Sequence, residues 1–184
     1  MKLIPLSTTS KINAGKYSAM VSDEDYNNLM EFKWHIMRCE KTIYAARSIM
    51  VNGRKYNDFM HRFLLGLKPF DKSIKGDHIN HNGLDNQRHN IRKATNAQNI
   101  MNGTASGASR FLGVSLKNKK VKYTNKNGEQ KIYQCIYYEA SITYNGKIHY
   151  LGNFKDEILA AKKYDEFARE HFGEFANPNF KENK

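Results

Sequence analysis

The hydrophobic positions of this chain change their spacing several times, and each change marks an element. Tyr17 to Val21 is the first strand candidate, and Ser22 followed by Asp25 resembles a capping box that opens a short helix through about Glu31. Trp34, Ile36, Ile43, Tyr44, Ile49 and Val51 recur at hairpin-strand spacing, with Asn52-Gly53 as the tight turn between strands. Met60 to Leu67 reads as a short apolar helix. Between Lys75 and Asn102 the pattern dissolves into Asn and His at a density that no packed core needs. There Lys75 to Ile79 is expected as a strand, Ile91 to Ala94 as its return, and Thr95 as the N-cap of a helix carrying Asn99.

A run of small residues from Gly103 to Ser109 has no apolar period and is expected as a linker over 104–109, separating residues 1–103 from a second module over 110–180. In that module Phe111 to Leu116, Ile132 to Thr143 and Lys147 to Phe154 alternate as strands, with Asn127-Gly128 and Asn145-Gly146 as turns. Asp156 is placed to cap a helix whose stripe is Ala160 or Ala161, Tyr164, Phe167 or Ala168, and Phe172, closed by Gly173. The expected class is α+β, the second module being a three-stranded antiparallel sheet with one helix across one face and the other face open.

Composition narrows the picture. At 184 residues, with 40% hydrophobic side chains including 10 Phe and 11 Tyr, the chain has enough apolar matter for packed cores. No window approaches the ~18 apolar residues of a membrane span. The opening Met-Lys-Leu-Ile-Pro-Leu-Ser is too short an apolar run for a secretory signal, so a cytoplasmic setting, bacterial or phage-infected, is expected. Cys39 and Cys135 are isolated, which excludes a disulfide scaffold and a CxxC zinc site, and both are expected as reduced, half-buried fillers. The net charge is +12, shared as 16 basic against 9 acidic residues in 1–103 and 14 against 9 in 104–184. With no basic amphipathic helix to favour a membrane surface, nucleic acid is the leading partner.

Phosphodiester hydrolysis asks for a base within reach of a water, a hard cation on the phosphate and fixed geometry. In the polar stretch His78 is the candidate base, Asp77 a carboxylate ligand, Asn99 a second oxygen ligand, and Asn90 a brace for the loop; this oxygen set suits Mg²⁺ or Mn²⁺ better than Zn²⁺. Adjacent strand residues leave on opposite faces, so the Asp77-His78 pair proves little alone. Asp77-His78, Asn90 and Asn99, with Met60-His61-Arg62 and Asp85-Asn86-Gln87-Arg88-x-Asn90-Ile91-Arg92, closely resemble the HNH nucleases of phage and intron homing type, in the variant whose last letter is Asn. The resemblance implies a ββα-metal (His-Me finger) fold, His78 as general base, one divalent ion on Asp77 and Asn99, Asn90 as the structural middle letter, and 5′-phosphate products. Arg62, Arg88, Arg92 and Lys93 are candidate phosphate clamps. His61 is read as structural, bordering the site, and His81 and His89 as loop histidines.

Arg110 to Ser115, Tyr138 to Ile142, Tyr150 to Phe154, Ala160 to Asp165 and Asn177 to Phe180 form an ordered set that looks like the Apetala-2/ethylene-response-factor DNA-binding domain. That resemblance, over about 108–180, implies a sheet that enters the major groove with the helix bracing its back. Arg110, Ser115, Lys117, Lys119, Lys120, Tyr138, Ser141, Thr143 and Tyr150 are the candidate DNA contacts. The plant domains carry Arg or Glu where this chain has Ser141 and Thr143, and a Lys-rich insertion separates the first two strands here, so the plant target sequence does not transfer. Lys117, Lys119, Lys120, Lys122, Lys126 and Lys131 face only Glu129 in that hairpin, which predicts phosphate neutralisation and salt-sensitive binding.

The sequence thus points to a metal-dependent endonuclease on double-stranded DNA, acting as a monomer or weak dimer, with one nick per site as the default product. The rivals are a DNA-binding regulator with a decayed nuclease and a nonspecific or RNA-directed nuclease.

Overall fold

The computed structural model describes residues 1–7, 15–39, 42–103 and 108–181. Four of the six positions of the expected linker, 104–107, lie outside the described residues. The chain divides into two compact units, Met1–Asn99 and Ile100–Lys184.

In the first unit, β1 (Lys2–Pro5) pairs antiparallel with β2 (Ser18–Val21), and a two-residue strand, β7 (Asp85–Asn86), joins β2 in parallel. Neither β1 nor β7 is legible as a strand in the sequence: β7 is only two residues long, and β1 ends on Pro5, a residue that argues against a strand. A short helix, α1 (Tyr26–Met30), follows β2 after a 3₁₀ turn over Asp23–Asp25. The expected capping box does not form: Ser22 makes no side-chain cap, and its Oγ instead accepts from the Arg88 N–H at 2.9 Å. Then β3 (His35–Cys39), β4 (Thr42–Val51) and β5 (Arg54–Phe59) make a meander, with Asn52 at φ 49° and Gly53 at φ 73° forming the β4–β5 turn. Helix α2 (Met60–Leu64) ends earlier than the pattern predicts, and Gly66 follows at φ 65°.

β6 (Lys75–His78) pairs antiparallel with β8 (Ile91–Ala94) and α3 (Asn96–Met101) follows directly, giving two strands and a helix in sequence. Thr95 caps α3 reciprocally, its Oγ1 accepting from Gln98 N at 3.2 Å while Gln98 Oε1 accepts from Thr95 N at 2.8 Å. The unit's core gathers Ile4, Leu6, Val21, Leu29, Trp34, Ala45, Met60, Leu64 and Ile91, so the β1–β2 sheet, the meander and the β6–β8 pair share one apolar interior.

Arg47 is packed into this core. Its guanidinium meets Asp58 Oδ2 at 2.9 Å and lies over the rings of Phe32 at 4.0 Å and Phe63 at 4.3 Å. Burial pushes the Asp58 carboxyl upward against the opposing pull of Arg47.

In the second unit the sheet order is β11-β10-β9, from β9 (Val114–Thr124), β10 (Gln130–Tyr144) and β11 (Lys147–Phe154). The Lys-rich segment expected as an insertion between strands is itself strand. β9 and β10 stay paired from Val114↔Ala140 out to Thr124↔Gln130, and Phe111 to Gly113 is not part of the sheet. Asn125 Oδ1 accepts from Asn127 N and Glu129 N to close the tip, and Asn145-Gly146 makes the other turn with φ 50° and 73°.

Asp156 caps α4 (Glu157–Phe172) through Leu159 N at 2.9 Å, and Ala160, Ala161, Tyr164, Ala168 and Phe172 form its buried stripe. Gly113, at φ 74°, lies where a Cβ would come within 1.9 Å of the Tyr164 ring. The Asp165 carboxylate is 1% exposed and accepts from Asn179 N, Asn179 Nδ2 and Phe180 N, while Asn179 also grips both backbone groups of Leu112. Asp165 and Asn179 therefore fasten the C-terminal segment to the helix. Cys39 is exposed rather than half-buried, Cys135 is half-buried, and both are free thiols. No helix among the described residues is long and apolar enough to cross a membrane.

Candidate functional site

Asp77 and His78 end β6, and strand alternation sends them to different neighbours. His78 lies opposite Ile91 on the core side. Its ring sits 4.6 Å from that of His61, edge to face, and 5.8 Å from Tyr44, and its Nε2 is 3.3 Å from Asn86 Oδ1. Asp77 lies opposite Arg92, whose Nε donates to Asp77 Oδ2 at 2.8 Å. Both Asp77 and His78 are 6% exposed.

Burial lowers the His78 pKa; the Asn86 hydrogen bond and the nearby Asp77 and Asp85 charges oppose that shift. Burial, reinforced by His78 and Arg62, drives His61 down to about 3, so its imidazole is neutral at physiological pH. Gly76 makes the packing possible, since a Cβ there would come within 2.4 Å of the His61 ring.

Residues 79–90 are held by a carboxamide network. Asn90 Nδ2 donates to Asn80 Oδ1 at 3.0 Å and to the Asp85 carbonyl at 2.7 Å, while its Oδ1 accepts from Asn80 N at 3.1 Å. Asn80 Nδ2 reaches Asp85 Oδ2 at 2.8 Å, and the Ile79 N–H donates to the Asn90 carbonyl at 2.9 Å. Asn90 thus bridges the two ends of the connection between β6 and β8. Gly83 brings the loop against β4, where a Cβ would meet the Ile43 carbonyl at 2.5 Å and the Tyr44 ring at 2.6 Å.

Asn99 sits half-buried on α3. A carboxylate and a carboxamide are hard oxygen donors, which fits a cation such as Mg²⁺ that completes its shell with water and phosphate oxygens. Among the described residues no three His, Cys, Asp or Glu side chains gather into a cluster able to hold a metal.

The expected phosphate clamps divide. Lys93 is exposed on β8, and Arg92 is occupied by Asp77. Arg62 braces the chain instead of facing solvent, being 8% exposed, and its guanidinium donates to the carbonyls of Ile74, Lys68 and Asp71, tying down the segment before β6. Arg88 forks onto Asp25 at 2.6 and 2.7 Å and donates to the Leu64 carbonyl, locking the β7–β8 connection to the 3₁₀ turn before α1 and to α2.

On the second unit, cross-strand register sorts the candidate DNA contacts by face. Ser115, Lys117 and Lys119 lie opposite Glu139, Tyr137 and Cys135, and Ser141 and Thr143 lie opposite Tyr150 and Ile148, all on the face away from α4. Tyr138 has the other parity and packs with Val114, Ala140 and Phe154 toward the helix, so it does not belong to the open face. Lys120, opposite Gln134, is likewise on the helix side. Lys117 is paired with Glu139 at 3.2 Å, and Arg110 is 72% exposed, 3.6 Å from Glu157.

Asn86 and Tyr44 are neighbours of His78 to which the sequence assigns no role. Asn86 is one Asn among many in its stretch, and only its parallel pairing with Val21 on β2 brings it to His78.

No protein-family model matches the chain, and no solved structure matches it. Across 162 residues, 88% of this chain and 74% of the relative, it is 33% identical to a protein of Acanthamoeba polyphaga mimivirus named Uncharacterized HNH endonuclease L560. That identity extends well beyond the polar stretch into both units, and by it the chain belongs to the HNH endonuclease family.

Proposed function

We propose that this protein is a divalent-metal-dependent endonuclease that nicks double-stranded DNA, with its first unit cutting and its second unit holding the duplex. The observation that carries the reading is the buried His78, fixed at the end of β6 beside Asp77 by a loop that Asn90 cinches closed. His78 takes a proton from a water as that water attacks phosphorus in line. Its lowered pKa keeps the ring neutral, and so able to accept, at physiological pH. Asn90 holds the β6–β8 connection so that the His78 ring does not swing.

Asp77 and Asn99 would hold the ion, Mg²⁺ or Mn²⁺, which when bound supplies charge stabilisation at the phosphate and the departing 3′ oxygen. Arg92, now on Asp77, lies one ladder position from His78 and is placed to meet a phosphate or to neutralise Asp77. The ββα-metal fold is the reading of β6, β8 and α3 that this chemistry uses. The second unit is read as an Apetala-2-like module whose open face, with Ser115, Lys117, Lys119, Ser141, Thr143 and Tyr150, meets the major groove.

The test is cleavage of supercoiled plasmid and phage DNA with Mg²⁺, Mn²⁺ or EDTA. Wild type should give open circles only with metal, and His78→Ala should lose about 100-fold or more in rate. Tight DNA binding with no metal-dependent cleavage of any substrate would instead make the protein a DNA-binding regulator.

A further inference from the structure

A neutral imidazole has one N–H donor and one acceptor nitrogen, so a base must be held in the tautomer that presents its lone pair to the water. We infer that Asn86 is the positioning residue for this step: its carboxamide oxygen holds His78 in the Nε2–H tautomer and leaves the lone pair on Nδ1. The inference rests on His78 being the base.

Asn86 is 0% exposed, and its Oδ1 lies 3.3 Å from His78 Nε2. Its Nδ2 is buried without a hydrogen-bond partner. A buried unsatisfied donor weakens the fold, and an aliphatic side chain of similar volume would not carry that penalty. An Asn kept there at such a cost is accounted for by what its oxygen does.

The backbone of Asn86 is not free to drift. β7 is only two residues long, yet it is pinned in parallel to β2 through Met20↔Asp85 and Val21↔Asn86, and the Met20 N–H donates to the Leu84 carbonyl at 2.8 Å. The β1–β2 sheet, remote in sequence from the nuclease stretch, thereby sets the position of the acceptor. The His61 ring, edge-on at 4.6 Å, and the Tyr44 ring at 5.8 Å pack beside the imidazole. The amide turned over would place Nδ2 against Nε2 and select the opposite tautomer, which makes the assignment open to direct observation.

The experiment uses the full chain with ¹⁵N-labelled histidine at neutral pH, without metal, the His78 signals being identified by their loss in His78→Gln. A pyrrole-type nitrogen at Nε2 and a pyridine-type nitrogen at Nδ1 are expected; the reverse pattern would overturn the assignment. In parallel, Asn86→Leu should lower kcat about 100-fold while DNA affinity is unchanged and the unfolding midpoint equals or exceeds that of wild type. Asn86→Asp, which keeps an acceptor oxygen, should restore kcat to within about 10-fold of wild type. Full kcat in a folded Asn86→Leu would overturn the proposal; if that variant does not fold, the tautomer decides. Should His78→Ala cleave like wild type, it is the assignment of the base that fails, whatever Asn86 does.

Discussion

At the scale of single residues, the site is a set of side chains placed at some cost to stability. His61 is neutral and buried, with a folded pKa near 3 against 6.5 for an exposed ring. Because the unfolded chain takes up a proton that the folded chain refuses, stability from this residue is intact above the unfolded pKa and is lost as pH falls below it. Going from about pH 7 to about pH 5 should cost about 2 kcal/mol. Urea midpoints of the first unit at the two pH values measure this, and His61→Phe should flatten the dependence. Gly76→Ala is a second residue-scale prediction. Its Cβ would displace the His61 ring and, through it, His78, so kcat should fall at least about 10-fold with DNA affinity unchanged. An unchanged kcat in steady-state cleavage would show that His61 can move without disturbing His78.

At the scale of elements, the first unit is held by interactions that join strands distant in sequence. Arg47 on β4 pairs with Asp58 Oδ2 on β5 while its guanidinium lies over the rings of Phe32 and Phe63, and Asp58 is 2% exposed. Arg47→Ala leaves a buried carboxylate without its cation and should destabilise by about 3–5 kcal/mol, whereas Arg47→Met with Asp58→Leu should recover most of that. Chemical denaturation of the single and double variants decides the matter.

Element boundaries were legible where the chain carried local chemistry: Asn52-Gly53, Asn145-Gly146, the Thr95–Gln98 cap and the Asp156 cap all form as their residue types dictate. They were not legible for β1 and β7, whose existence depends on pairing with β2. The Ser22–Asp25 cap failed because tertiary contacts claimed both side chains, Ser22 by the backbone of Arg88 and Asp25 by its guanidinium.

At the scale of the whole molecule, the +12 charge is spread over both units. The β9–β10 hairpin concentrates Lys119, Lys120, Lys122 and Lys126 on strands and a tip that extend past the segment packed against α4. Replacing Lys119, on the open face, and Lys126, at the tip, by Gln should lower the slope of log affinity against log salt by up to about 2 on duplex DNA and weaken all sequences alike, whereas Lys120→Gln, on the helix side, should change it little. Titration at several salt concentrations is the measurement, and an unchanged slope would remove the hairpin from the interface. Tyr138→Phe, by contrast, should leave sequence preference intact, because the ring belongs to the helix side of the sheet.

What the sequence determined by itself is the chemistry available: the Asp77-His78 pair, the Asn spacing that marks the HNH stretch, the basic charge, and the turns and caps whose signals are local. Those features depend on residue type and on neighbours a few positions away, and no folding is needed to read them. The tertiary structure decided which of those residues meet. It assigned Arg62 and Arg88 to bracing, Tyr138 and Lys120 to the helix side of the sheet, Arg92 to Asp77, and Asn86 to His78. The physical reason is that a side chain's partner follows from strand parity, register and burial. These are fixed only when segments as far apart as Val21 and Asn86 come to share one ladder.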